Sequence, residues 1–163
     1  MKYRRLSQEE LKDLEPEFVQ FLSSNTVTAD DWVKLKETAP QKVEQLIGVF
    51  SDIVFEKVLS KIEYLEFRTP KDVKTFHCLK DKIILLGLTA EGENDLDFTT
   101  TADPTLMLGQ YKFSDASLRL YSAEKAYAKV REAELFDMLE GGAMISKDGA
   151  LFKALQALKP QQN

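Results

Sequence analysis

Over the first third of the chain, apolar residues recur at three- and four-residue spacing, the period of an amphipathic helix. Leu11, Leu14, Phe18 and Leu22 form the first stripe, and Leu6-Ser7-Gln8-Glu9-Glu10-Leu11 predicts where it begins. Ser7 caps the amide three residues on, Glu10 reaches back to the Ser7 amide, and Leu6 packs against Leu11. Pro16 falls inside the stripe and predicts a kink or a restart, because its ring clashes with the preceding turn. Val27-Thr28-Ala29-Asp30-Asp31-Trp32 repeats the logic, with Thr28 as cap and two aspartates at the positive end of the helix dipole. Pro40 marks the next start. From residue 41 to about 67, Val43, Ile47, Phe50, Val54, Val58, Ile62 and Leu65 make one long stripe, widened by Leu46, Val49, Ile53 and Phe55. It predicts a central packing helix roughly 39 Å long, ended by Arg68-Thr69-Pro70-Lys71-Asp72.

The period then changes. Val73-Lys74-Thr75-Phe76-His77-Cys78-Leu79 carries β-formers in partial alternation, and Ile83-Ile84-Leu85-Leu86-Gly87-Leu88 is a short apolar run. With Lys80-Asp81-Lys82 between them they predict a hairpin, and residues 105–113 offer a third strand. A helix is expected to resume at Asp115 or Ser122, with Tyr127, Val130, Ala133, Met138 and Leu139 facing inward, and to stop at Gly141-Gly142. Lys147-Asp148-Gly149 reads as a turn before a last short helix carrying Leu151, Leu155 and Leu158, and residues 160–163 as a frayed tail. The expected fold is α+β and helix-rich: a long central amphipathic helix, a small antiparallel sheet and C-terminal helices. One domain is expected over residues 1–163, helical over 1–68, with the sheet region at 73–113 and the C-terminal helices at 115–158.

Composition narrows the function classes. The 163 residues are 44% hydrophobic and 30% charged, the mix of a globular domain, with no apolar run long enough for a membrane span. The opening residues lead into charged helix-forming sequence, not a signal-peptide core. One cysteine, Cys78, excludes an internal disulfide and a cysteine-based zinc site, and one histidine, His77, removes most catalytic and metal constellations. The net charge is −5, from 22 bases and 27 acids, which argues against a general nucleic-acid binder. Residues 91–103 hold five of those acids and no base, leaving 22 acids against 22 bases in the other 150 residues.

That acidic segment is the first candidate site. Glu91, Glu93, Asp95 and Asp97 alternate, so in an extended strand they would share a side, as oxygen ligands do around Ca²⁺ or Mg²⁺. The segment lacks the glycine and glutamate spacing of an EF-hand, and its bland alternative is a solvated acidic loop. His77 and Cys78, adjacent on a strand, point to opposite faces and cannot form a nucleophile–base pair with each other. Asp52, Glu56 and Glu63 share a face of the long helix, but a two-metal bundle site needs Glu-x-x-His motifs that a single histidine cannot supply. The glycines at 141, 142 and 149 match no nucleotide-binding loop. Arg4-Arg5 and the set Arg68, Lys71 and Lys74, interleaved with Tyr3, Phe67 and Phe76, are the residues an RNA-binding surface would use. The last helix is too short to stand alone and must dock on its own core, on a partner or on a second copy.

Residues 1–6, Ser51-Asp52-Ile53-Val54-Phe55-Glu56-Lys57-Val58-Leu59 and Thr75-Phe76-His77-Cys78-Leu79 together resemble an uncharacterised bacterial domain-of-unknown-function family of small cytoplasmic proteins, some loosely labelled histidyl-tRNA synthetase. The resemblance spans essentially the whole chain and implies a bacterial cytosolic protein, with no active-site residues to transfer. A class II synthetase needs a far larger catalytic sheet than this chain can build. The leading expectation is a protein-interaction or structural module without catalytic activity, a homodimer being one form of it. The rival is a metal- or small-ligand-binding protein or enzyme using the carboxylates of residues 91–103. An RNA-associated factor comes third. No cofactor is expected beyond Ca²⁺ or Mg²⁺ at the acidic loop.

Overall fold

Ser7 accepts the Glu10 amide at 3.1 Å and Glu10 accepts the Ser7 amide at 2.9 Å, and this capping box opens α1 (Gln8–Asp13) of the computed structural model. The structure describes residues 1–100, 103 and 117–158. The chain divides into two units, Met1–Ser60 and Lys61–Asn163.

The first unit is helical. The chain breaks at Leu14 and restarts as α2 (Glu15–Ser24), with Pro16 in its first turn, where the missing N–H costs nothing. Thr28 and Asp31 form a second capping box at the start of α3 (Ala29–Thr38), and α4 (Pro40–Ser60) begins on its proline. The apolar stripes meet in one cluster of Leu6, Leu11, Phe18, Leu22, Val43, Ile47 and Phe50. Phe18 is its hub, 4.9 Å from the Phe50 ring and edge-on to Trp32 at 5.3 Å. The 21 residues of α4 span about 32 Å. This helix stops seven residues short of the expected end, because Tyr64-Leu65-Glu66-Phe67 joins a sheet. Ile62 and Leu65 continue the helical spacing yet are buried as part of the second unit.

The second unit is built on a five-stranded antiparallel sheet, order β4-β3-β2-β1-β5. Its strands are β1 (Tyr64–Thr69), β2 (Asp72–Cys78), β3 (Lys82–Glu91), β4 (Ser117–Ala126) and β5 (Met144–Ser146). The predicted hairpin is β2–β3. The helix expected from Asp115 or Ser122 is instead β4, which pairs with β3 over ten residues and places Leu118 and Leu120 on the core. Alternation Leu-Arg-Leu-Tyr outweighs the helix-forming Ala, Glu and Lys that follow it. The helix begins only at α5 (Arg131–Glu140), and the chain reverses at Gly142, whose φ of 112° suits glycine. The strand expected at 105–113 and the tail at 160–163 lie outside the described residues. Six helices and five strands among the described residues make the fold α+β.

Directly paired residues of antiparallel strands share a face. On one face Tyr64, Val73, Leu86, Leu88 and Ala90 are covered by Leu151, Phe152 and Leu155 of α6 (Ala150–Leu158), so the last helix docks on its own sheet. The opposite face carries Leu65 and Phe67 of β1, Asp72, Lys74, Phe76 and Cys78 of β2, Ile83 and Gly87 of β3, and Arg119 and Tyr121 of β4.

Candidate functional site

On this second face α5 is anchored at one end. Arg131 donates to the carbonyls of Cys78 and Leu79 at 3.1 Å each and to that of Ile62. Glu134 is buried; burial pushes its carboxyl up, but the bonds from Lys125 and the Ala128 amide outweigh this and hold it low. The helix ends beside Phe67, and a methyl added to Gly142 would sit 3.2 Å from that ring. Between Phe67, Phe76, Met138, Gly141 and Ala143 it leaves a shallow apolar groove of about 330 Å³, with Lys74 at its edge.

Lys74, at the groove's edge, belongs to a hydrogen-bonded set. Tyr121 Oη donates to Asp72 Oδ1 at 2.6 Å, and Lys74 Nζ donates to Asp72 Oδ2 at 2.7 Å. The bond to Asp72 holds the Lys74 ammonium above its ordinary range, so it is a fixed cation and not a base. Burial, and then the bond to Asp72, push the Tyr121 hydroxyl up, so it keeps its proton. The Tyr121 ring lies over Gly87, where a Cβ would be 2.1 Å from the ring, and Lys74 and Arg119 each sit 5.8 Å from its centroid. Tyr121 is a second hydrogen-bond partner of the Lys74 ammonium. The arrangement suits binding better than proton transfer: a rigid tyrosine, a permanent cation and an apolar trough beside them.

The other candidates are used differently. His77 and Cys78 do point to opposite faces: His77 stacks on Tyr64 at 4.5 Å and meets Phe152, while Cys78 is buried and pushed up to about 11 by its burial, against the pull of Arg131. A thiol in that state is no nucleophile. Glu91 ends β3 and pairs with Arg119 at 3.0 Å, Glu93 and Asp95 are exposed, and Asp97 caps Thr99. The segment is folded, not extended: Gly92 has φ 79° and the Asn94 amide donates to the Gly92 carbonyl. Lys71 reaches into it, donating to Asn94 O, Asn94 Oδ1 and Leu96 O at 2.9, 3.0 and 2.5 Å. Among the described residues no three His, Cys, Asp or Glu gather as a metal-holding group.

Arg68, Lys71 and Lys74 do not make one surface, since Arg68 forms a buried pair with Glu66 on the α6 side of the sheet, Lys71 serves the acidic loop and Lys74 serves Asp72. Glu63 lies beyond the end of α4, whereas Asp52 and Glu56 are on it and hold residues 2 and 3. Sequence reasoning marked Phe67, Lys74 and Phe76 but missed Asp72, Tyr121 and Met138. Alternation of Asp72, Lys74 and Phe76 was the available signal. Tyr121 arrives by strand pairing across 34 residues from Gly87 and left none.

A family model described as "Family of unknown function (DUF6495)" matches residues 1–160. No curated protein and no solved structure matches the chain.

Proposed function

As the chain belongs to this family of unknown function, we propose that it is a protein-interaction module, with a partner's apolar side chain seated between Phe67, Phe76 and Met138. The observation that carries the reading is the groove itself, apolar along its length and edged by one permanent cation. A partner segment with a bulky apolar residue beside an acidic one matches both features. The groove volume lies at the floor of the small-molecule range, which favours one or two side chains of a protein over a cofactor. The module is proposed to act in the cytoplasm, where its one cysteine remains a free thiol.

Peptides selected from a random library against the intact chain test this. The expected binders combine an apolar and an acidic residue and lose at least tenfold in affinity against Met138→Glu, while the variant melts within a few degrees of the parent. Peptides that bind Met138→Glu as well as the parent contradict the proposal.

A further inference from the structure

Within the first unit, α3 is firmly capped but poorly covered. Its capping box fixes where it starts, yet none of its ten residues is buried. Trp32 and Leu35 pack half-buried against the aromatic cluster around Phe18. Beside Trp32 a groove of about 530 Å³ opens, and the core residues Leu11, Phe18, Val43 and Ile47 reach into its lining. Its volume falls inside the range of about 300–1,000 Å³ that small-molecule sites occupy. It draws on no residue of the groove around Met138.

The rim of this groove is charged and unevenly paired. Arg5 and Glu44 neutralise each other through two hydrogen bonds, at 2.7 and 3.1 Å. Lys36 Nζ sits 5.6 Å from the centroid of the Trp32 ring, a contact that holds the ammonium at the aromatic wall and leaves its charge in place. Among the described residues, Lys12, Lys36 and Glu15, which also line the groove, form no ion pair. The rim therefore keeps two uncompensated cations against one acid, an excess of one positive charge.

We propose that this groove binds a small amphiphilic monoanion, its apolar body lying along Trp32, Phe18, Leu11 and Ile47 and its carboxylate held by Lys12 and Lys36. Charge complementarity selects the head: a carboxylate neutralises the excess on the rim, and an amine adds to it. The apolar body supplies most of the affinity, because exposed ion pairs contribute little and are screened by salt. The lysines supply the choice between ligands of opposite charge. Trp32 gains the cover that α3 leaves it without.

Trp32 is the single tryptophan of the chain and lines the groove, so its emission reads occupancy directly. The intact chain is titrated with decanoate and with decylamine, which share the apolar body and differ in the head. Decanoate is expected to shift the emission saturably and to bind at least tenfold more tightly than decylamine, with the difference shrinking in high salt. Lys12→Glu with Lys36→Glu, both exposed positions, is expected to abolish the preference while circular dichroism stays unchanged. No saturable shift with decanoate, or equal binding of decylamine by the parent, overturns the proposal whatever the variant does. A folded double variant that keeps the preference also overturns it. So does an emission shift produced by library-selected peptides but not by decanoate, which would make the groove a protein contact.

Discussion

Two glycines in the described chain respond to the same substitution in opposite ways. At Gly87 an added methyl would meet the Tyr121 ring at 2.1 Å, so Gly87→Ala must push the ring off the sheet and away from Asp72. A loss of about 1–3 kcal/mol is expected in urea unfolding. At Gly48 the nearest atom is 3.7 Å away, and Gly48→Ala is expected to gain up to about 1 kcal/mol from helix propensity alone. Cys78 supplies a third expectation. With its thiol near 11 and its side chain buried, a disulfide reagent at pH 8 should label it only after unfolding. Fast labelling of the native chain contradicts its placement. Glu10 gives the pH dependence: its bonds to Arg4 and to the Ser7 amide lower its pKa from 4.5 to about 2. Its stabilising effect is therefore complete above about 4.5 and is lost as the pH falls towards 2. Glu10→Gln should flatten the acid limb of the stability curve over that window.

At the scale of elements, what was legible followed local rules. Both capping boxes, the restart at Pro16, the start of α4 and the β2–β3 hairpin are written within a few residues of themselves. The end of α4 escapes local rules because Ile62 and Leu65 keep helical spacing although Tyr64–Thr69 pairs with β2. β4 escapes them too, because its second half, Ser122-Ala123-Glu124-Lys125-Ala126, has helix propensity and its pairing with β3 decides otherwise. The candidate site divides in the same way: the β2 residues were in view, and the residues brought by β4 and α5 were not. The acidic loop adds a prediction at this scale. Lys71 brings a cation from the β1–β2 turn to three oxygens of the loop, so the charge is compensated from outside the segment. Lys71→Met should cost about 1 kcal/mol and speed amide exchange over residues 94–98, leaving β3 protected. Unchanged exchange contradicts the role assigned to Lys71.

For the whole molecule, the net charge of −5 belongs to one short segment, and its nearest cations, Lys71 and Arg119, come from elsewhere in the chain. In the second unit Asp72, Lys74 and Tyr121 are tied to one another, and the apolar groove beside Lys74 is the feature proposed for a partner. Methionine makes this claim accessible, since Met138 lines the groove. The most direct measurement is therefore methyl NMR of the intact chain labelled at methionine, titrated with the tightest library-selected peptide. Seating of the peptide in the groove predicts that the Met138 methyl shifts and saturates. A peptide that binds and leaves Met138 unmoved contradicts it.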